Sequence, residues 1–140
     1  ESVINEASDD VLQKIQILIN RRQFQSKFRK NLDKIYDNKC AISGSNIRVI
    51  IEAAHIDPHS NNRINKSDNG ILLRCDLHKL FDNNLLLIDP QTSRVVLHKS
   101  LLKTEYEKYN NLLIAPRKDK SVLNQKYLIK KWQSVDWTEK

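Results

Sequence analysis

The chain has 140 residues, 39% apolar and 29% charged, with a formal net charge of +7 and a pI near 9.5. That length suits one compact domain, and that balance excludes a disordered or fibrous polymer. No run reaches the roughly 20 apolar residues of a membrane span, and two cysteines, Cys40 and Cys75, are too few for a disulfide framework.

From Ser8, a candidate N-cap, the sequence reads as helix. Val11, Leu12, Ile15, Leu18 and Ile19 make one apolar stripe, and Phe24, Phe28, Leu32, Ile35 and Tyr36 a second, out of phase with it. Two helices or one kinked helix are therefore expected over residues 8–36, with Arg21, Arg22, Lys27, Arg29, Lys30 and Lys34 on a polar face. Residues 38–46 form a turn around Gly44. Ile47 to Ile56 is β-rich and stops at Asp57-Pro58. His59 to Asp68 reads as a polar loop, Asn69-Gly70 as a turn, and Ile71-Leu72-Leu73 as a short strand. Asp76 is a candidate N-cap for a short helix through Leu77, Leu80 and Phe81, ending at Asn83-Asn84. Leu85–Ile88 and Arg94–His98 flank Asp89-Pro90 as a hairpin. Helical stretches are expected near Leu101–Leu113 and Asn124–Trp132. The aromatic residues of the last helix read as packing. Nothing marks a second domain, so residues 1–140 form one α+β unit with a core over about 38–98 and helices on both sides.

Three of the four histidines, His55, His59 and His78, fall within 24 residues, and both glycines, Gly44 and Gly70, flank the same region. His55 stands near a strand end, Asn69 at a turn, and His78 on a helix with Asp82 four residues later on the same face. A His and an Asp at that spacing can hold one divalent cation between them. Each residue alone has an ordinary reading: His55 as a core histidine, Asn69 as a turn residue, His78 and Asp82 as surface groups.

The run EAAHIDP followed by DNGILLRCDLHKLFDNNLLLIDP resembles the HNH family of ββα-metal (His-Me finger) nucleases. His55, Asn69 and His78 match the three letters of the motif, at intervals of 14 and 9 residues. The neighbouring words RRQFQSKFRKNL, KCAISG, AAHI and HKLFD resemble a subfamily of bacterial restriction and phage-defence nucleases, over about residues 21–90. The resemblance implies a ββα-metal core and hydrolysis of DNA phosphodiesters to 5′-phosphate and 3′-hydroxyl ends. It implies His55 as general base, suited by a residue type that ordinarily titrates near pH 6.5, Asn69 as the residue orienting loop and base, and His78 with Asp82 as ligands of one divalent ion. Mg²⁺ is the expected ion, with Mn²⁺ or Ni²⁺ as substitutes.

The chain departs from the pattern in two ways. Many relatives place a metal-binding Asp or His just before the base, where this chain has Ala54; the metal then rests on His78, Asp82, waters and the DNA phosphate, or recruits Glu52, Asp57 or Asp76. The CxxC pairs that hold a structural zinc in many relatives are reduced to Cys40-Ala-Ile-Ser43, so no structural zinc is expected, and Cys40 and Cys75 read as small core residues. Arg63, Arg74 and Lys79 flank the centre as candidate phosphate contacts, while His59 and His98 read as exposed. The implied partner is double-stranded DNA in a cytoplasmic, bacterial-type setting. A chain without any Met suggests a piece of a longer protein, with a recognition or regulatory domain ahead of Glu1 and a homodimer to cut both strands. The alternatives are an HNH-fold DNA-binding module whose centre has decayed, suggested by Ala54, and a zinc-held interaction domain.

Overall fold

The structure, a computed structural model, describes residues 2–58 and 66–138, with side chains from Ser8 onward. Helix α1 (Ser2–Ile35) runs 34 residues without a break, so Ser8 lies inside it rather than capping it. No Gly or Pro interrupts the segment, and a helix whose backbone bonds are internal need not break where its apolar stripe changes face. Only the second stripe is used: Phe28, Leu32 and Ile35 are buried, while the first stripe and Phe24 remain 41–60% exposed. Asp37 and Asn38, both with left-handed φ near +57°, end the helix.

Strands β1 (Ile51–His55) and β2 (Gly70–Arg74) pair antiparallel in the register Glu52↔Leu73 and His55↔Gly70. The expected start of β1 at Ile47 is corrected, since Arg48–Ile50 form a 3-10 turn. Helix α2 (Cys75–Asp82) follows β2 directly, and Arg74 is its N-cap, so Asp76 sits in the first turn. The hairpin is covered on both faces. Residues 53 and 55 face α1, and residues 52 and 54 face α2 by strand alternation. Leu32, Ile71, Leu72, Leu73, Leu77 and Phe81 are almost fully buried between the layers, each contributing about 1.5–3 kcal/mol of apolar burial.

A second hairpin, β3 (Leu86–Ile88) with β4 (Val95–Leu97), turns at Asp89, whose Oδ1 accepts the Gln91 N–H at 2.8 Å. The helix expected over 101–113 is absent. That stretch holds two 3-10 turns, Lys99–Leu101 and Glu107–Tyr109, and then bonds back to β4 through Asn111 N–H to Val95 O and Val95 N–H to Leu112 O. Left-handed Lys103 and Asn111 preclude a continuous helix there. Helix α3 (Gln125–Gln133) is capped by Asn124, whose side chain accepts the Lys126 N–H at 2.9 Å.

Two polar groups tie distant segments together. Buried Arg117 donates to Tyr36 Oη (2.8 Å), Gly70 O (3.0 Å) and Ser67 O (2.6 Å). Buried Cys40 Sγ accepts the N–H groups of Ile42, Ser43 and Arg74. Cys75, expected in the core, is exposed because the first turn of α2 turns it outward. Among the described residues no helix is long and apolar enough to cross a membrane.

Candidate active site

β1 ends at His55, whose ring lies flat on Phe28 of α1, with centroids 4.4 Å apart and planes 7° from parallel. Opposite stands Gly70. A Cβ at Gly70 would come within 2.5 Å of Phe28 Cζ and 2.8 Å of Leu32 Cδ1. Its backbone is ordinary extended chain (φ −137°, ψ 151°), so close approach of α1 requires the glycine, not turn geometry. The reversal expected at Asn69-Gly70 is made instead by the 3-10 turn Ser67–Asn69, and Gly70 opens β2.

Asn69 is buried and closes the loop that leaves β1. Its Oδ1 accepts the Asp57 N–H at 2.8 Å, and its Nδ2 donates to Asp57 O at 3.0 Å. A primary amide places an acceptor and a donor on two separate atoms of one short side chain, whereas an ionised Asp only accepts and Ser has a single oxygen for both roles. The clamp sits two residues beyond His55 and ties the end of the strand to the residue before β2.

On the α2 face Ala54 is fully buried, so the ligand position of many relatives is closed as well as inert. Glu52, two residues back on the same face, places Oε1 2.7 Å from His78 Nδ1, while His78 Nε2 is 3.2 Å from Asp82 Oδ2. An ionised carboxylate only accepts, so the short contacts at Nδ1 and Nε2 each need a positive centre on the ring side, a proton or, at Nε2, a metal ion in its place. Two electron-pair donors that close require a cation between them, a proton or a metal ion. Neighbouring ligands of an octahedral ion at about 2.1 Å are themselves about 3 Å apart, so His78 and Asp82 fit a hard divalent ion. A carboxylate on the far nitrogen is the common way a ligating imidazole is oriented. Among the described residues no group of three or more His, Cys, Asp or Glu side chains converges as a metal cage.

The other two acids are engaged elsewhere. Asp76 accepts from Arg74 Nε (2.6 Å), Arg74 Nη2 (2.9 Å) and Tyr106 Oη (2.7 Å). The Arg74 guanidinium draws the Asp76 carboxyl down to about 2, and the Asp76 acceptor pushes the Tyr106 phenol up to about 12. Buried Asp57 takes Lys130 Nζ at 3.1 Å. Lys79 lines the same open cleft, about 540 Å³, as Glu52, His78 and Asp82. Arg74 is committed to Asp76, and Arg63 and His59 lie outside the described residues. His98, expected to be exposed, is half-buried with its ring edge-on to Trp137 at 5.2 Å. Sequence reasoning overlooked Lys130 and Lys131 of α3; the Lys-Lys pair in a helix without acids was the available signal.

A β-hairpin ending in His55, a turn carrying Asn69 and a helix carrying His78 make a ββα-metal core in an α+β fold, flanked by α1 and α3. Residues 40–89, about a third of the chain, match the family model described as HNH endonuclease, and this segment is the part of the chain that is similar to those enzymes. No curated protein matches the chain. Among solved structures it is similar to one described as "Modification dependent TagI restriction endonuclease", with a TM-score of 0.59 and 18% identity. That alignment covers 76% of this chain and 36% of the other, so this chain spans little more than a third of its length.

Proposed function

We propose that the chain is the metal-dependent nuclease portion of a DNA endonuclease, leaving 5′-phosphate and 3′-hydroxyl ends, and that it acts as the effector of a restriction-type defence protein. The observation that carries this reading is the His78 imidazole held between two carboxylates on the helix beside the His55 strand. His55 is the general base and takes a proton from the attacking water at a ring nitrogen, while Phe28 holds the ring plane. Asn69 positions His55 by fixing the backbone at Asp57. His78 and Asp82 hold the divalent ion, Mg²⁺ in the first instance, and Glu52 orients His78 from the opposite nitrogen. When bound, that ion neutralises charge on the phosphate and stabilises the leaving oxygen. A net charge of +7 favours a polyanionic substrate, and Lys79 is a basic residue lining the cleft.

The exposed apolar stripe of α1 and the partial coverage of the restriction endonuclease support a larger protein with a recognition domain and a dimeric nuclease. The test is cleavage of supercoiled plasmid with EDTA, Mg²⁺ or Mn²⁺, with end-labelling of the products. Metal-dependent nicking that drops about 100-fold to 10,000-fold in His55→Ala, the usual weight of a general base, is the expected result. Duplex binding without cleavage under any metal would favour the decayed module, for which fully buried Ala54 is the specific observation.

A further inference from the structure

Helix α3 lies outside the matched segment 40–89, yet it is fastened to both halves of the candidate site. At its start, Asn124 N–H donates to Asp68 O (2.9 Å) and Asn124 Nδ2 to Asp68 Oδ2 (3.2 Å), next to Asn69. Beyond its end, Trp137 Nε1 donates to Asn84 O (3.0 Å), two residues after α2. Leu128 anchors the helix in the core. It therefore spans from the turn bearing Asn69 to the end of the helix bearing His78.

α3 has three lysines, Lys126, Lys130 and Lys131, and no acid. Like charges at i and i+4, as at 126 and 130, weaken an isolated helix by a few tenths of a kcal/mol. Lys130 is compensated by Asp57 at 3.1 Å. Lys131 is half-buried, with its ammonium 4.3 Å over the ring of Phe81, the neighbour of Asp82. Among the described residues no carboxylate lies within ion-pairing distance of Lys131, though Asp82 and Asp57 act on it from further away. Burial depresses its pKa, and those two carboxylates oppose the shift. A partly desolvated cation held on an aromatic face is already positioned for an anion.

We propose that α3 is a phosphate-gripping bar of the nuclease, in which Lys131 holds the DNA backbone alongside the bond to be cut and Lys126 meets it further out. The inference rests on the nuclease reading above and adds a substrate contact outside the family segment. Five residues at about 100° each set Lys126 roughly 140° around the helix from Lys131, so the two meet different stretches of backbone: Lys131 on the side of α2 and exposed Lys126 on the outward side.

The experiment is fluorescence anisotropy with a labelled duplex in EDTA, between 50 and 200 mM salt, in a His55→Ala background. Lys131→Gln and Lys126→Gln should each reduce the slope of log affinity against log salt by about one and weaken binding several-fold. Lys131→Arg should keep the parental slope. Lys39→Gln, which removes the same charge beside Asp37 at the end of α1, should also leave it unchanged. Circular dichroism melts check folding, and exposed Lys126 gives a variant that disturbs no packing. Parental slopes in both α3 variants, or an equal loss in Lys39→Gln, would overturn the proposal while leaving the nuclease reading intact. Failure of the parent to bind duplex at any salt would overturn both.

Discussion

Gly70→Ala tests whether α1 and the strand bearing His55 are one packed unit. The added methyl would stand 2.5 and 2.6 Å from Phe28 ring carbons and 2.8 Å from Leu32 Cδ1, so these side chains must move. Leu32 is fully buried and Phe28 nearly so. Forcing a methyl into such packing costs about 1–3 kcal/mol, a fall in Tm of roughly 3–10 °C for a domain of this size. The displaced ring is the one stacked on His55 at 4.4 Å, so cleavage should fall further than the loss of folded protein explains. Phe28→Leu alone also destabilises, by about 1 kcal/mol, but it vacates the space the methyl needs. The double variant should therefore be more stable than the sum of the singles, with a coupling of at least 0.5 kcal/mol. Urea unfolding of all four proteins measures this. Gly70→Ala with parental stability, or strict additivity in the cycle, would refute the close-approach argument.

Asn69→Asp keeps the acceptor for Asp57 N–H but sets a carboxylate against Asp57 O, both buried; a loss of about 1–3 kcal/mol in stability is expected from calorimetry, with cleavage lowered more than DNA binding. His78→Ala should abolish Mn²⁺ binding in titration calorimetry, and Asp82→Asn should weaken it. Glu52→Gln, which no longer orients the ring as a charged acceptor, should weaken it about 10-fold to 100-fold, and an unchanged isotherm in any of these removes that residue from the metal set. For Asp76 the folded carboxyl lies near 2 against an ordinary 3.8. A lowered value means stability that is present above about pH 4 and lost as pH falls through 2. Asp76→Asn should therefore be less stable than the parent at neutral pH, and the gap should close between pH 4 and 2; a gap constant over that range would contradict the assignment.

The candidate centre was legible because its residues are close in sequence and each sits where local signals place it: His55 before a Pro-marked strand end, Asn69 beside a glycine, His78 on a short amphipathic helix. What surrounds it was not. That Glu52, rather than Asp57 or Asp76, meets His78 follows from which strand face turns to α2 and from Arg74 and Lys130 claiming the other two acids. The Lys130–Asp57 contact joins residues 73 apart, and no periodicity reports such a pairing. Residues 101–113 carry helical spacing, yet hydrogen bonds to β4 and two left-handed residues outweigh propensity there. The two stripes of α1 suggested a break because a stripe was assumed to need burial, and the first is left exposed.

The buried guanidinium of Arg117 bears on the order in which this chain can become active. It fastens the carbonyls of Ser67 and Gly70, on either side of Asn69, from 50 and 47 residues further along, and Asn124 adds a second tie at Asp68. A ribosome reaches these residues after Asn69, so a nascent chain that already contains His55, Asn69 and His78 has the Asn69 turn unfastened. Its fastening is thereby deferred until Arg117 and Asn124 have followed. In a chain shortened to end before Arg117, the Asp57 amide held by Asn69 should exchange its hydrogen much faster than in the full chain, and equal protection would show that the turn is locked without its late partners.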